Sequence, residues 1–193
     1  MRNEKPKVIV ASNNEKKIVE IKNVLTDYNV LSLKDISCEV DIPETALTFK
    51  GNALLKAEYI VNNHNVSCFS DDSGLVVPAL DGAPGIHSAR YAGEHKNDDD
   101  NINKLLNSLK SVSDRRAYFI TVICYHNGDK AQYFEGKVSG TITKEKRGNM
   151  GFGYDPIFQP DGFDKTFAEM TLDEKQEKSH RARALKKFVD KRS

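Results

Sequence analysis

A mixed α/β fold with an antiparallel section is predicted by three features of the sequence. The chain opens with a short apolar run, Val8-Ile9-Val10-Ala11, then a polar turn and an amphipathic helix, the first step of an α/β unit. A second helical segment leads into another short apolar run that ends on two adjacent acids, Asp71-Asp72. Two segments rich in β-branched and aromatic residues then flank Asn127-Gly128, a strong hairpin signal. The 193 residues are within the size of one domain, taken as 1–193, or of one domain split into two lobes around a cleft.

Each element has its own justification. Lys7–Ser12 reads as a buried strand because its centre is uninterrupted apolar sequence. Ile18, Ile21 and Leu25 recur at helical spacing and give the first helix its core face. The second helix is expected over roughly 46–62, with Ala53, Leu54, Ala57, Ile60 and Val61 facing the core. On that helix Thr48, Asn52 and Lys56 fall at i, i+4 and i+8 and form one polar stripe. Ser67–Ser70 is expected to be a short strand ending at Asp71-Asp72-Ser73-Gly74, with Leu75–Leu80 as a second short strand. The Gly- and Ala-rich stretch 81–96 reads as irregular, and a helix starting within 97–101 carries Ile102, Leu105, Leu106 and Leu109. Strands follow over 117–125 and 131–143. After a loop over 147–156, Thr171-x-x-Glu174 is a capping-box pattern for a final helix whose apolar face is Ala182, Leu185, Phe188 and Val189.

Composition excludes several classes. With 29 Lys+Arg against 28 Asp+Glu, the chain lacks the basic excess of a protein that tracks a phosphate backbone, so no nucleic-acid partner is expected. Cys38, Cys68 and Cys124 are far apart and odd in number, and the histidines lack H-E-x-x-H spacing, so neither a disulfide framework nor a zinc site is supported. The first residues have no signal-peptide apolar region, and no apolar run approaches the ~20 residues of a membrane span, so a cytoplasmic protein without a membrane partner is expected.

Five segments have the residue types for chemistry. Ser12-Asn13-Asn14-Glu15-Lys16-Lys17 joins a strand to a helix, where free backbone N–H groups bind anions. Lysines in a first helical turn oppose the dipole, so Lys16 and Lys17 imply something negative nearby, unless they are simply solvated. Asp71-Asp72-Ser73-Gly74 reads either as paired carboxylates at a strand end, suited to Mg²⁺, or as an ordinary Asp/Ser/Gly turn. Asp98-Asp99-Asp100 is explained by the helix dipole alone. Gly151-Phe152-Gly153-Tyr154-Asp155-Pro156 reads as a base-stacking loop or as a turn with core aromatics. Lys175, Lys178, His180, Arg181 and Arg183 read as ligand groups or as a solvated basic helix, with no obvious acid partner for the His-Arg pair. A nucleotide together with a metal would use all of these segments except the Asp98 run.

The sequence also resembles the inosine triphosphate pyrophosphatase family, the XTP/dITP diphosphatases, from Val8 to about Phe188. The resemblance is carried by Ala-Ser-Asn-Asn-x-x-Lys at 11–17, Glu-Thr-x-x-Thr-Phe-x-x-Asn-Ala-x-x-Lys-Ala at 44–57 and Ser-Asp-Asp-Ser-Gly-Leu at 70–75. It continues in Gly-Ala-Pro-Gly-Ile-His-Ser-Ala-Arg-Tyr at 82–91, Gly-Phe-Gly-Tyr-Asp-Pro-Ile-Phe at 151–158 and Ser-His-Arg at 179–181. It implies an elongated mixed-sheet α/β fold with two lobes flanking a nucleotide-binding cleft, usually as a homodimer. The implied reaction is Mg²⁺-dependent hydrolysis of non-standard purine triphosphates (ITP, dITP, XTP) to the monophosphate and pyrophosphate, which cleanses the nucleotide pool.

By the same resemblance, Ser12, Asn13, Asn14, Glu15, Lys16 and Lys17 would hold the triphosphate, and Glu44 and Asp72 would bind Mg²⁺ with Asp71 nearby. Asp72 would be the proton acceptor, with Lys56 beside it, and Asn52, Lys56, Ser73 and Arg90 would line the phosphate side. Phe152, Gly153, Tyr154, Asp155, Lys175, His180 and Arg181 would form the base pocket. Lys, Arg and protonated His are donors only, which suits the C6 carbonyl of hypoxanthine or xanthine and not the amino group of adenine, though guanine is not excluded. Two departures stand out: Asn13 where the family commonly has Gly, a turn that Asn can support through its tolerance of the left-handed region, and His87 where Tyr is usual. Rival readings are a pyrophosphatase for modified pyrimidines, a non-catalytic nucleotide sensor, and an aspartyl-phosphate phosphatase. The last usually requires a D-x-D-x-T motif after the first strand, which is absent.

Overall fold

The computed structural model describes residues 5–191. They form strands β1 (Lys7–Val10), β2 (Asn29–Ser32), β3 (Cys68–Val76), β4 (Arg116–His126), β5 (Ala131–Ile142) and β6 (Phe158–Pro160). The helices are α1 (Glu15–Val24), α2 (Phe49–His64), α3 (Asp98–Ser108), α4 (Leu172–Lys178) and α5 (His180–Asp190). The strands make one sheet in the order β2-β1-β3-β4-β5-β6. β1 runs parallel to β2 and to β3, and β5 runs antiparallel to β6. β4 and β5 are joined only by residues 127–130, a connection too short for parallel pairing. The mixed α/β expectation is thereby met.

Two compact units divide the described residues: 5–72, 121–136 and 181–191 in the first, 73–120 and 137–180 in the second. In the first unit the strands are covered on both faces. Val8, Val10, Phe69, Ile123 and Tyr125 pack with Ile18 and Ile21 of α1 and Leu185 and Phe188 of α5. The alternate residues Ile9, Ala11, Cys68 and Cys124 pack with Ala53, Ala57 and Ile60 of α2. Two-sided burial is why Val8–Ala11 is an unbroken apolar run rather than an alternating one. The second unit has a single core, in which Ile102, Leu105 and Leu109 of α3 meet Phe119, Val138, Phe158 and Phe167.

Helix starts follow from side-chain caps. Asn14 accepts from the Lys17 N–H, Thr48 from that of Gly51 and Asn97 from that of Asp100. Thr48 being the cap, α2 begins three residues later than expected from periodicity alone. The Thr171/Glu174 capping box is present as expected, at 2.8 and 3.2 Å.

Four expectations need correction. β2 was not foreseen, because Asn29-Val-Leu-Ser has too few apolar residues to signal a strand until it pairs with β1. β3 does not end at Asp71; it runs on through Asp72, Ser73 and Gly74 to Val76, while Pro78–Leu80 is a 3₁₀ turn. The acids stay in the strand because partners on both faces satisfy them, as described below. The final helix is two helices, since Ser179 is extended (φ −68°, ψ 156°), so the capping box starts α4 and the apolar face belongs to α5. Asn13 is not among the residues with positive φ, so its tolerance of the left-handed region is not needed.

Within the second unit, β5 and β6 approach closely at Gly140, which faces Pro160. A Cβ there would lie 2.3 Å from the Gln159 carbonyl oxygen and 2.7 Å from the Phe158 ring. Gly140→Ala is expected to cost about 1–3 kcal/mol through overpacking, lowering the melting temperature by roughly 2–12 °C; an unchanged thermal melt followed by circular dichroism would refute this.

Candidate active site

The site in the first unit is built on the period-2 alternation of β3. Phe69 and Asp71 point to the α1/α5 face, Ser70 and Asp72 to the α2 face. The adjacent acids are therefore not a side-by-side pair, as the strand-end reading supposed. They serve two different clusters.

On the α1/α5 face, Asp71 is 1% exposed and its Oδ2 lies 3.0 Å from Lys17 Nζ and 3.4 Å from the Arg181 guanidinium. Arg181, also 1% exposed, in turn pairs with Glu20 of α1. Burial opposes the charge on Arg181, but Asp71 and Glu20 outweigh it and hold the guanidinium above its ordinary pKa. Lys17 is shifted the other way: burial, reinforced by Arg181 and Lys56, lowers it despite Asp71. The negative group that the misplaced first-turn lysine implied is Asp71.

On the α2 face, Lys56 Nζ donates to Glu44 Oε1 at 2.8 Å and to the Asp71 carbonyl at 2.6 Å, and lies 4.0 Å from Asp72 Oδ1. Asn52 Nδ2 donates to Asp72 Oδ2 at 3.1 Å, while its Oδ1 accepts from the Ala46 N–H at 2.9 Å. Asn52 thus ties the segment that carries Glu44 to β3. Burial pushes the Asp72 carboxyl up; Lys56 opposes the shift and Glu44 adds to it. Lys56 is raised in spite of its burial, by Asp72 and Glu44. Glu44, Asp72 and Lys56 are mostly buried, with side chains 24%, 8% and 11% exposed.

Glu44 and Asp72 bring hard carboxylate oxygens to the same lysine, 2.8 and 4.0 Å from Lys56 Nζ. Among the described residues there is no cluster of three or more metal-ligating side chains, but Mg²⁺ takes one or two carboxylates and fills the rest of its shell with water and phosphate oxygens. The donor set fits that ion.

The rest of the strand-to-helix turn is more open. Ser12 Oγ accepts from the Asn14 N–H, Asn13 and Lys16 are exposed, and Glu15 pairs with Lys34 at 2.7 Å.

The second unit holds the other predicted residues. Asp155 Oδ2 accepts from the Phe152 N–H at 2.8 Å and from Lys175 Nζ at 2.7 Å, and Lys175 also lies 4.7 Å from the Phe152 ring centre. Gly151 has φ +77° and a Cβ there would fall 2.0 Å from Asp155 Oδ2, so only glycine fits. The Gly153 N–H donates to Asp98 Oδ2, and Tyr154 donates to the Ser88 carbonyl. His180 stacks on Phe119 with ring centres 4.7 Å apart and planes 9° from parallel. Ser73 is half-buried, and Arg90 pairs with Glu94 at 3.2 Å. The basic segment is therefore not a solvated helix: Lys175, His180 and Arg181 are buried while Arg183 is exposed.

Glu20 was missed in the sequence reading. Its signal is an acid on the core side of α1, three residues after Lys17 and next to buried Ile21. Asp98, read as a helix-dipole acid only, also anchors the 151–155 loop.

The family model described as the Ham1 family matches residues 8–191. The chain is 50% identical over 184 residues to the dITP/XTP pyrophosphatase of Flavobacterium psychrophilum, covering 95% of this chain and 97% of that protein. It is 51% identical over 185 residues to the dITP/XTP pyrophosphatase of Flavobacterium johnsoniae, covering 95% and 96%. Among solved structures, the Staphylococcus aureus Ham1 protein matches with a TM-score of 0.88 and 44% identity, over 97% of this chain and 100% of that one. A HAM1 protein from Coxiella burnetii matches with a TM-score of 0.89 and 36% identity, over the same shares. A family match over nearly all of the sequence, relatives about half identical along their whole length and solved structures of the same fold place the chain in the Ham1 family, to which it belongs.

Proposed function

We propose that this protein is a nucleoside-triphosphate diphosphatase, which takes non-standard purine nucleotides such as dITP, XTP and ITP and releases the monophosphate and pyrophosphate with Mg²⁺. The observation that carries the reading is the Glu44–Lys56–Asp72 cluster on one face of β3, with Lys17 held by the neighbouring Asp71 on the other. The relatives named dITP/XTP pyrophosphatases support the substrate class.

In the proposed reaction a water oxygen bonds to the α-phosphorus and the bond from that phosphorus to the bridging oxygen breaks, so pyrophosphate departs. Asp72 accepts the proton of the water, and base catalysis supplies typically 10²–10⁴-fold. Lys56 and Asn52 orient that carboxylate. Lys17 and the N–H groups at the start of α1 hold the phosphates, with Ser12 to Lys16 forming the turn around them. Glu44 and Asp72 are the residues that would hold Mg²⁺, which would supply neutralisation of charge on the phosphate oxygens. Ser73 and Arg90 are assigned to the phosphates, and Phe152, Gly153, Tyr154, Asp155, Lys175 and His180 to the base. Of the three basic groups assigned to the base, Arg181 has its guanidinium engaged by two acids, Glu20 and Asp71, and Lys175 is engaged by one, Asp155; Lys175 and His180 are the donors assigned to a C6 carbonyl. Adenine would set a donor against those donors, at about 1–3 kcal/mol for each buried group left unsatisfied.

Purified protein incubated with dITP and Mg²⁺ should yield dIMP and pyrophosphate on anion-exchange chromatography; accumulation of dIDP and phosphate would overturn the assignment. In the same assay ITP and XTP should exceed ATP in kcat/KM, by up to about 10⁴-fold where a site rejects a mispaired polar group. Asp72→Asn should keep the fold and lower kcat at least tenfold, judged by the usual size of base effects; a variant that turns over at wild-type rate would remove Asp72 from the mechanism. Arg181→Ala should act on stability. It removes the cation paired with buried Glu20 and one of the two beside buried Asp71, at about 3–5 kcal/mol, or a melting temperature lower by roughly 6–20 °C. An unshifted melt would mean that the guanidinium does not bind them.

A further inference from the structure

The second unit contains a pocket lined by none of the residues assigned above. It is a half-open groove of about 750 Å³, lined by Asn107, Lys110, Ser111, Ser113, Arg115 and Lys144, with Leu106 and Val112 as its apolar part. That volume is within the ~300–1,000 Å³ of small-molecule sites. Its polar lining consists of three cationic side chains, two hydroxyls and one amide, and contains no carboxylate.

Arg115 is held rigidly. Its Nε donates to the Ile142 carbonyl at 2.7 Å, Nη1 to that of Leu109 at 2.9 Å and Nη2 to that of Thr143 at 2.8 Å. Three of its five N–H groups are thereby used on backbone oxygens, and one on each Nη remains. The bond to Leu109 also covers the carbonyl end of α3, whose dipole would otherwise repel an anion. None of these partners carries charge, so the guanidinium is positioned and not neutralised. The adjacent acid, Asp114, is engaged by Arg116 at 2.6 Å. Lys110 and Lys144 have no ion-pair partner among the described residues. Three like charges around one cavity repel each other, and a multivalent anion relieves that repulsion more than a monovalent one.

We infer that this pocket is a second anion site, which takes a small phosphate-bearing molecule of the size of pyrophosphate or a nucleoside monophosphate. The fixed Arg115 fork meets the phosphate oxygens, Lys110 and Lys144 supply charge from the rim, and Ser111, Ser113 and Asn107 provide neutral hydrogen bonds. The inference is independent of the proposed reaction, since it requires no turnover and none of its residues.

The test is a backbone-amide NMR titration of the full chain without divalent metal, using pyrophosphate and IMP separately. Saturable shifts are expected over 107–115 and at Lys144, and Lys110→Gln/Lys144→Gln should weaken them at least tenfold while shifts over 12–17 and the basal dITP turnover stay as in wild type. Comparable affinities for the two probes assign the phosphate as the recognised group; IMP binding tenfold tighter adds its nucleoside. Shifts confined to 12–17, or shifts over 107–115 that survive the double substitution, would overturn the site. So would a single-stranded RNA dodecamer binding these residues more than tenfold tighter than either probe, which would make the surface one for nucleic acid.

Discussion

Two adjacent carboxylates in a strand covered on both faces set the terms for the first unit. Burying an unpaired carboxylate costs several kcal/mol, and breaking a buried pair costs about 3–5 kcal/mol, so β3 can carry Asp71 and Asp72 only if each face supplies cations and donors. The α1/α5 face supplies Lys17 and Arg181, and the α2 face supplies Lys56 and Asn52. Each helix that packs against β3 therefore has a polar obligation as well as an apolar one. Glu44 joins the α2 face, where it and Asp72 flank the ammonium of Lys56, while Glu20 pairs with Arg181 on the other face. A face on which two carboxylates flank an ammonium is suited to a divalent cation, and a lysine whose ammonium is disfavoured by burial gains from a phosphate beside it.

The functional residues are held by their neighbours rather than by the elements on which they lie. Asn52 uses its oxygen on the Ala46 N–H and its nitrogen on Asp72, so one side chain sets the distance between the Glu44 segment and β3. In the second unit Asp155 does the corresponding work for the aromatic loop, taking the Phe152 N–H and the Lys175 ammonium on one oxygen. Asp98 and Ser88 fix the same loop from outside through Gly153 and Tyr154. Gly151 of this loop is required by the close approach of Asp155 as much as by its positive φ, whereas at Gly153 (φ +59°) only the backbone conformation favours glycine.

Much of the fold was legible because local signals and tertiary demands coincided. The apolar run Val8–Ala11, the spacing of Ile18, Ile21 and Leu25, the Asn127-Gly128 turn and the Thr171/Glu174 box each correspond to a strand, a helix face, a hairpin or a helix start where expected. The polar stripe of Asn52 and Lys56 was legible for the same reason: helical spacing puts both on the face that meets Asp72. The motifs that resembled a known family carried the family assignment that the comparisons show.

Tertiary structure decided what no local window contains. Asp71-Asp72-Ser73-Gly74 has the composition of a turn, and it is strand because Lys17 and Arg181 beside Asp71 and Lys56 beside Asp72 compensate its charges from distant parts of the sequence. The same alternation separates two adjacent acids into different clusters, a division that adjacency in sequence hides. The Ser-His-Arg run looked like one basic group on one helix. Instead Ser179 is extended, His180 stacks on Phe119, and Arg181 is buried between acids from α1 and β3. Periodicity and capping are set by residues within a few positions of each other and can be read directly. Charge compensation in a buried interior is set by whatever the fold brings within about 4 Å, and that is known only when the chain is folded.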